Sequence, residues 1–169
     1  GQLRNLQQLD LRVNELNSTI PSELGLCSNL TYLALALNSF TGALPLSFSN
    51  LTKISYLGLS NNFLSGEISP YFITNWTQLI SLQLQNNLFT GKIPPEIGLL
   101  PKLNYLFLYD NQLSGLIPPW IGNLKILAGL DLSGNQLSGK IPAQLGSLAQ
   151  LLVLSLQSNE LTGKIPSTI

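Results

Sequence analysis

Leucines alternate with other residues in seven short segments of this chain, and the pattern returns about every 24 residues. Each segment holds two leucines two positions apart, such as Leu57 and Leu59, so both side chains lie on one face of a strand. One such strand cannot bury its apolar face alone, but stacked copies can. Parallel neighbours need a crossover, which the rest of each repeat supplies. The pattern therefore predicts a parallel sheet backed by a continuous leucine core.

An asparagine follows the second leucine of every segment by three positions. Successive asparagines are 24 residues apart, with one step of 25 between the third and the fourth: Asn14, Asn38, Asn62, Asn87, Asn111, Asn135 and Asn159. A side-chain amide both donates and accepts hydrogen bonds, so each asparagine can satisfy backbone groups of its own turn and of the adjacent coil. We therefore predict a ladder of stacked asparagines.

The second half of each repeat carries Ser or Thr followed by Gly, and then Ile-Pro, as in Thr90-Gly91 and Ile93-Pro94. Glycine permits a positive φ or a close backbone approach. Proline holds the chain extended before a short helical turn, for example Pro95 to Ile97.

Two repeats depart from this pattern. The first has Ser18 where the others have glycine, and the third has a shifted proline, Pro70, with one residue inserted before Trp76. We expect a local bulge on the convex side at the insertion, with less regular curvature between the third and fourth repeats.

The full repeat, L-x-x-L-x-x-L-x-L-x-x-N-x-L-S/T-G-x-I-P, resembles that of the plant-specific leucine-rich repeat family along essentially the whole chain. The resemblance implies an α/β solenoid, a right-handed leucine-rich repeat superhelix with a concave parallel β-sheet and short 3-10 or irregular convex segments. We interpret residues 1–169 as a single domain of about seven 24-residue repeats. Because it starts and stops inside repeat units and lacks the family's disulfide-bearing end caps, we expect a fragment of a longer protein.

Composition argues against catalysis in this segment. There is no histidine, the commonest general base and metal ligand. The single cysteine, Cys27, cannot form an internal disulfide or a cysteine-rich metal site, and we expect it to be a small buried apolar residue. The sequence therefore predicts no enzyme activity here, no cofactor and no metal.

Charge and hydropathy limit the partners. Only 9% of the residues are charged, with eight Lys and Arg against eight Asp and Glu. This balance gives no reason to expect nucleic acid or a membrane surface as a partner. No apolar run approaches the ~18 residues needed to span a bilayer, so we expect no membrane insertion by this segment.

Four Asn-x-Ser/Thr sequons are candidate N-glycosylation sites: Asn17, Asn29, Asn50 and Asn75. All four lie outside the predicted strands, although a chain rich in Asn, Ser and Thr also acquires sequons by accident. Glycans are added only in the secretory pathway. The sequons thus favour a location on the extracellular side of the plasma membrane or in the apoplast, with the targeting signal outside this chain.

The residues that alternate with the strand leucines are expected to face solvent in three columns on the concave sheet. The fifth strand places three aromatic side chains outward, and small or polar neighbours leave the rings open. Apolar rings flanked by polar groups are typical of recognition sites. We predict a ligand-binding surface made of Tyr105, Phe107, Tyr109, Gln83, Gln85, Asp131, Tyr56 and Tyr32. The alternative is that aromatics simply suit strands.

The resemblance implies part of a plant receptor-like kinase ectodomain that senses a peptide or hormone and pairs with a co-receptor ectodomain, the kinase lying elsewhere in the full-length protein. The alternative is a secreted or membrane-anchored leucine-rich repeat protein without a kinase, such as an inhibitor of microbial cell-wall hydrolases in defence. Such inhibitors favour charged columns, and only Asp10, Arg12 and Asp131 are charged in the columns here.

Overall fold

The leucine-bearing segments form one continuous parallel sheet in the computed structural model, which describes residues 2–169. Numbered in chain order, its strands are β1 (Gln8–Asp10), β3 (Tyr32–Ala34), β5 (Tyr56–Gly58), β7 (Ser81–Gln83), β9 (Tyr105–Phe107), β11 (Gly129–Asp131) and β13 (Val153–Ser155). Equivalent leucines stand side by side, since Leu57 pairs with Leu33 on one neighbour and with Leu82 on the other. We call this the concave sheet.

A second set of short strands lies between the concave strands, where the sequence analysis placed only turns. They are β2 (Asn17–Thr19), β4 (Ser39–Gly42), β6 (Phe63–Glu67), β8 (Leu88–Thr90), β10 (Ser114–Leu116), β12 (Gln136–Lys140) and β14 (Glu160–Thr162). They form a four-stranded sheet, β2 to β8, and a three-stranded sheet, β10 to β14, which we call the lateral sheets. Lys92, two residues after β8, forms a single parallel bridge with Ser114 of β10 and so connects the two lateral sheets. The periodic glycines lie within or next to these strands, as Gly66 does with φ +80°.

Short helical turns form the remaining side of the solenoid. They are the 3-10 turns Ser22–Leu26, Leu46–Asn50, Pro95–Leu99, Pro119–Asn123 and Ala143–Ser147, and the α-helix Pro70–Ile73. An extended proline precedes each 3-10 turn, such as Pro94 with φ −66° and ψ 132°. Among residues 2–169, no helix has the length and apolar character to cross a bilayer.

The extra residue of the third repeat is taken up on the convex side. There the chain forms the α-helix Pro70–Ile73, capped by Ser69, whose hydroxyl accepts a hydrogen bond from the Tyr71 N–H at 3.2 Å. The concave sheet passes this repeat without a break, because Tyr56 pairs with Ser81 in the regular register. The insertion therefore changes the type of helical turn and leaves the strand pairing intact.

Aliphatic and aromatic side chains fill the interior between the sheets and the helical turns. Interior strand leucines such as Leu57 and Leu82 are fully buried, and Cys27 is buried too and unpaired. Trp76 is the largest buried side chain, and its indole N–H donates to the Phe48 carbonyl at 3.0 Å. This bond satisfies the polar atom that a buried tryptophan brings into the core.

The asparagines form a hydrogen-bonded column at the ends of the concave strands. Asn87 is typical, since its Nδ2 donates to the carbonyls of Leu59 in the preceding coil and of Leu84 in its own, at 3.0 and 3.1 Å. Its Oδ1 accepts the N–H of Leu64 at 3.0 Å. Asn38, Asn62, Asn111, Asn135 and Asn159 repeat these bonds. Each amide thus ties its coil to the one before it.

Candidate functional site

The outward columns of the concave sheet differ in exposure. The expectation that the third column faces solvent is wrong for its interior, where four residues are buried: Ala36, Ser60, Gln85 and Ser133. The strands end two residues before this column, and the chain then turns through residues of positive φ such as Asn61 and Asn86. The third column therefore belongs to the turn, and only larger side chains such as Tyr109 keep partial exposure.

Strand β9 carries the most exposed aromatic side chain of the concave sheet. Tyr105 is 42% exposed and Phe107 is half-buried, with ring centroids 5.8 Å apart and tilted by 48°. Both rings lean over β11, because a Cβ added to Gly129 would lie 2.9 Å from Tyr105 Cδ1 and 3.1 Å from Phe107 Cε1. Gly129, which has no side chain, leaves the space that both rings occupy.

A second aromatic group lies toward the N-terminal end of the same sheet. Tyr32 and Tyr56 stack with centroids 4.5 Å apart and planes 11° from parallel. The Tyr56 hydroxyl donates to Gln83 Oε1 at 3.1 Å, and its ring lies over Gly58. Burial, followed by the neighbouring Tyr32, raises the pKa of Tyr56 above its usual value of 10.0. Tyr56 is thus held by three neighbours, Tyr32, Gln83 and Gly58.

The polar residues predicted for the surface divide into open and occupied groups. Gln83 lies between the two aromatic groups, opposite Phe107 in the strand register. It accepts a hydrogen bond from Tyr56 and donates to the Ser81 hydroxyl of its own strand at 3.2 Å. Gln85 does not face solvent as expected, since it is 8% exposed. Asp131 Oδ1 already accepts the N–H and the hydroxyl of Ser133, at 3.0 and 2.6 Å. Gln83 and Asp131 therefore both keep hydrogen-bonding capacity for a ligand, Gln83 through its second N–H and Asp131 through Oδ2.

Charge on the concave sheet is confined to its N-terminal edge and to Asp131. Arg12 and Asp10 form an ion pair with a shortest N–O distance of 2.6 Å. The hydrogen bonds from Arg12 lower the pKa of Asp10, and the Asp10 carboxylate raises the pKa of Arg12. The two charges neutralise each other. The middle of the sheet therefore offers aromatic faces and amide groups, which suit an uncharged or weakly charged ligand segment.

The structure offers no centre for metal chemistry in the part of the chain it describes. No three His, Cys, Asp or Glu side chains within residues 2–169 are close enough together to hold a metal ion.

The four sequons differ in accessibility. Asn50 is exposed at the end of a 3-10 turn. Asn17 is also exposed and begins the lateral strand β2, outside the concave strands. Asn29 and Asn75 are half-buried, and their amides donate to the carbonyls of Arg4 and Tyr71 at 2.9 Å.

The sequence analysis did not single out one exposed aromatic on the convex side, Trp120, which is 59% exposed. It stands second in its 3-10 turn, where the other 3-10 turns have Glu23, Ser47, Glu96 and Gln144 and the α-helix has Tyr71. That departure from the polar residues of the same register was the available signal.

Models of the leucine rich repeat family match residues 77–137 and 101–161, and further single-repeat models match 5–27 and 29–51. A comparison with curated proteins gave no match. Among solved structures, the plant peptide hormone receptor RGFR1 in complex with RGF2 is 36% identical, with a TM-score of 0.91 over 97% of this chain and 30% of that one.

Two further structures frame the comparison. The Arabidopsis receptor kinase HAESA, in complex with the peptide hormone IDA and the co-receptor SERK1, is 38% identical, with a TM-score of 0.93 over 97% of this chain and 27% of that one. Pollen Receptor Kinase 3 is 35% identical, with a TM-score of 0.85 over 95% of this chain and 77% of that one. The chain thus spans less than a third of the two hormone receptors. With the repeat models, the stacked coils and these identities in agreement, the chain belongs to the leucine-rich repeat family.

Proposed function

We propose that this chain is part of the extracellular ligand-binding region of a plant receptor kinase and that it binds a peptide on its concave sheet. The observation that carries the proposal is the row of aromatic side chains on β3, β5 and β9, Tyr32, Tyr56, Phe107 and Tyr105, with Gln83 on the intervening strand β7. The complexes of RGFR1 and HAESA with peptide hormones support the choice of ligand class.

The dimensions of this row suit a short extended peptide. From β3 to β9 the row crosses three strand spacings, or about 14 Å at ~4.8 Å each. An extended peptide rises ~3.3 Å per residue, so roughly four to five residues span the row. Their side chains can pack on the open rings, and Gln83 can form hydrogen bonds with the peptide backbone.

A co-receptor ectodomain is the second partner we propose, on the ground that HAESA was solved with SERK1. Signalling would then pass to a kinase outside this chain. The alternative of a hydrolase inhibitor gains no separate support, because Asp10 and Arg12 neutralise each other and Asp131 is bonded to Ser133. No charged column is left on the concave sheet to enter an enzyme cleft.

We further propose that Asn17 and Asn50 carry N-glycans, since both are exposed and belong to sequons. Asn29 and Asn75 are less favoured, because their amides are engaged with backbone carbonyls. Expression through a plant secretory pathway, followed by mass spectrometry of glycosidase-treated peptides, tests this. Occupancy at Asn29 and Asn75 but not at Asn17 and Asn50 would contradict the assignment.

Selection from a displayed library of random twelve-residue peptides tests the binding surface. Peptides recovered on the wild-type chain are titrated against Tyr105→Ala and Phe107→Ala by fluorescence anisotropy. Loss of a central aromatic anchor should weaken binding at least about tenfold. The matched control is Tyr71→Ala, an aromatic on the convex side that is more exposed than Tyr105, and it should leave affinity unchanged. Equal affinity for all variants would rule out this surface.

A further inference from the structure

Three adjoining clefts surround Pro95 on the convex side of the solenoid, away from the concave sheet. One, of about 400 Å³, lies where β6 meets the 3-10 turn Pro95–Leu99 and includes Glu67, Lys92 and Glu96. Two smaller ones, of about 220 and 240 Å³, lie on either side of Trp120. Pro95 lines all three clefts, so they form one continuous surface, which we call the Trp120 surface.

Two carboxylates on the Trp120 surface have no basic partner. The one ion pair among residues 2–169 joins Arg12 to Asp10, so neither Glu67 nor Glu96 is neutralised. One oxygen of Glu96, Oε2, is buried and accepts no hydrogen bond from any described residue. With Oε2 shielded from solvent and unpaired, the carboxylate is poorly solvated, so a cationic donor that reached it at the other oxygen, Oε1, would be stabilising.

The nearest lysine does not supply that donor. Lys92 lines the same cleft, but its stem runs across the next repeat, because a Cβ added to Gly115 would lie 3.2 Å from Lys92 Cγ. Glu67 lies against Gly91, because a Cβ added to Gly91 would lie 2.9 Å from Glu67 Cδ. Two carboxylates, Glu67 and Glu96, and one lysine line this cleft, so it keeps a local negative charge.

Apolar groups border this charge. The backbone and Cβ of Trp120 lie against Gly98, and the residue is 59% exposed. Leu99 and Leu116 beside it are 65% and 64% exposed. Prolines form much of the walls, and proline has no N–H to compete for the carboxylates. The surface thus combines two unpaired anionic groups with a flat aromatic ring and exposed aliphatic side chains.

We infer that the Trp120 surface binds an arginine-bearing extended segment of a protein partner. A guanidinium group is planar, carries five donors, pairs with carboxylates and stacks on aromatic faces. An aliphatic neighbour of that arginine can cover Leu99 or Leu116. Lysine fits less well, because its ammonium group is a compact and strongly hydrated charge. This site is separate from the concave sheet and does not depend on the proposed peptide ligand there.

The two tryptophans provide a direct assay, since Trp120 is exposed and Trp76 is fully buried. The probe is N-acetyl-leucyl-arginine amide, titrated into the ¹⁵N-labelled chain while the two indole N–H signals are followed by NMR. We expect a saturable shift of the Trp120 signal and none of the Trp76 signal. The same peptide with citrulline in place of arginine has nearly the same shape without the charge, and it should bind at least about tenfold more weakly.

Variants complete the test. Glu67→Gln with Glu96→Gln should weaken binding about tenfold, whereas Glu23→Gln, at the register of Glu96 in the first repeat, should leave it unchanged. The Trp76 signal reports that each variant is folded. The inference is overturned by a Trp120 signal that does not move, by equal binding of the citrulline peptide, or by full binding in the double variant. A Trp120 shift on concentrating the chain alone also overturns it, because a second copy would then be the occupant.

Discussion

The asparagine column lies at the ends of the concave strands, and the aromatic row lies on their outward face. The sequence specifies the two in different ways. Interior asparagines repeat one residue and one set of bonds, with Nδ2 to carbonyl distances of 2.9 to 3.1 Å to the preceding coil. The outward positions of the same strands share no residue type, and their aromatics cluster in β3, β5 and β9. Repetition therefore specifies the stacking of the coils, and departures from repetition mark the places where the chain can recognise something.

The largest effect is expected from breaking the column. Asn87→Ala leaves the buried Leu64 N–H without an acceptor. It also removes one of the two amide donors to each of the Leu59 and Leu84 carbonyls, which keep those of Asn62 and Asn111. The unpaired N–H costs roughly 1–3 kcal/mol and each lost carbonyl bond about 1 kcal/mol, so the free energy of unfolding should fall by ~3 kcal/mol in urea denaturation. Asn14→Ala is the control, because Asn14 is exposed and bonds only within its own turn, and it should cost less than ~1 kcal/mol. Equal losses in the two variants would contradict the role assigned to the column.

A smaller effect is expected from the tryptophans. Trp76→Phe deletes a buried hydrogen bond to the Phe48 carbonyl and leaves space in the core, so stability should fall by ~2 kcal/mol. Trp120→Phe on the convex surface should change stability by less than ~0.5 kcal/mol. Thermal unfolding followed by circular dichroism separates them. A cost for Trp120→Phe as large as that for Trp76→Phe would place Trp120 in the core rather than on a binding surface.

The smallest expected effect concerns Tyr56 and appears only at high pH. Burial raises the pKa of Tyr56 in the folded chain, so the unfolded chain loses this proton first. The contribution is fully present below the ordinary tyrosine pKa of about 10 and is lost as pH rises through the folded value. The wild-type chain should therefore lose stability above pH ~10 more steeply than Tyr56→Phe. Urea denaturation of both chains at a series of pH values measures this difference. Equal pH dependence of the free energy of unfolding in the two chains would contradict the assignment.

The repeating parts of the fold could be predicted from the sequence. The Leu-x-Leu spacing indicated the concave strands, and Ile-Pro before residues such as Pro95 indicated the helical turns. The lateral sheets were missed, because glycines such as Gly66 suggested turns, whereas their positive φ is accommodated within strands. The insertion near Pro70 was visible, but its outcome as an α-helix depended on packing between coils.

The outward surface was harder to predict than the core. Alternation placed Tyr105 and Phe107 on the open side, but it also placed Gln85 there, which the turn buries. Alternation holds only while the backbone stays extended, and the strand ends before Gln85. The stacking of Tyr32 on Tyr56 and the leaning of rings over Gly129 arise from residues on adjacent strands, which a pattern along one strand does not contain.

The central claim is that the outward face binds a ligand and that the repeating scaffold holds this face in place. Measuring binding and stability on one double variant tests it most directly. For Tyr105→Ala with Phe107→Ala, affinity for a library-selected peptide is measured together with the free energy of unfolding. We predict that affinity falls at least about thirtyfold, or ~2 kcal/mol, as expected for aromatic anchors at an interface, while stability changes by ~1 kcal/mol or less. Undiminished affinity in a folded double variant would contradict the account.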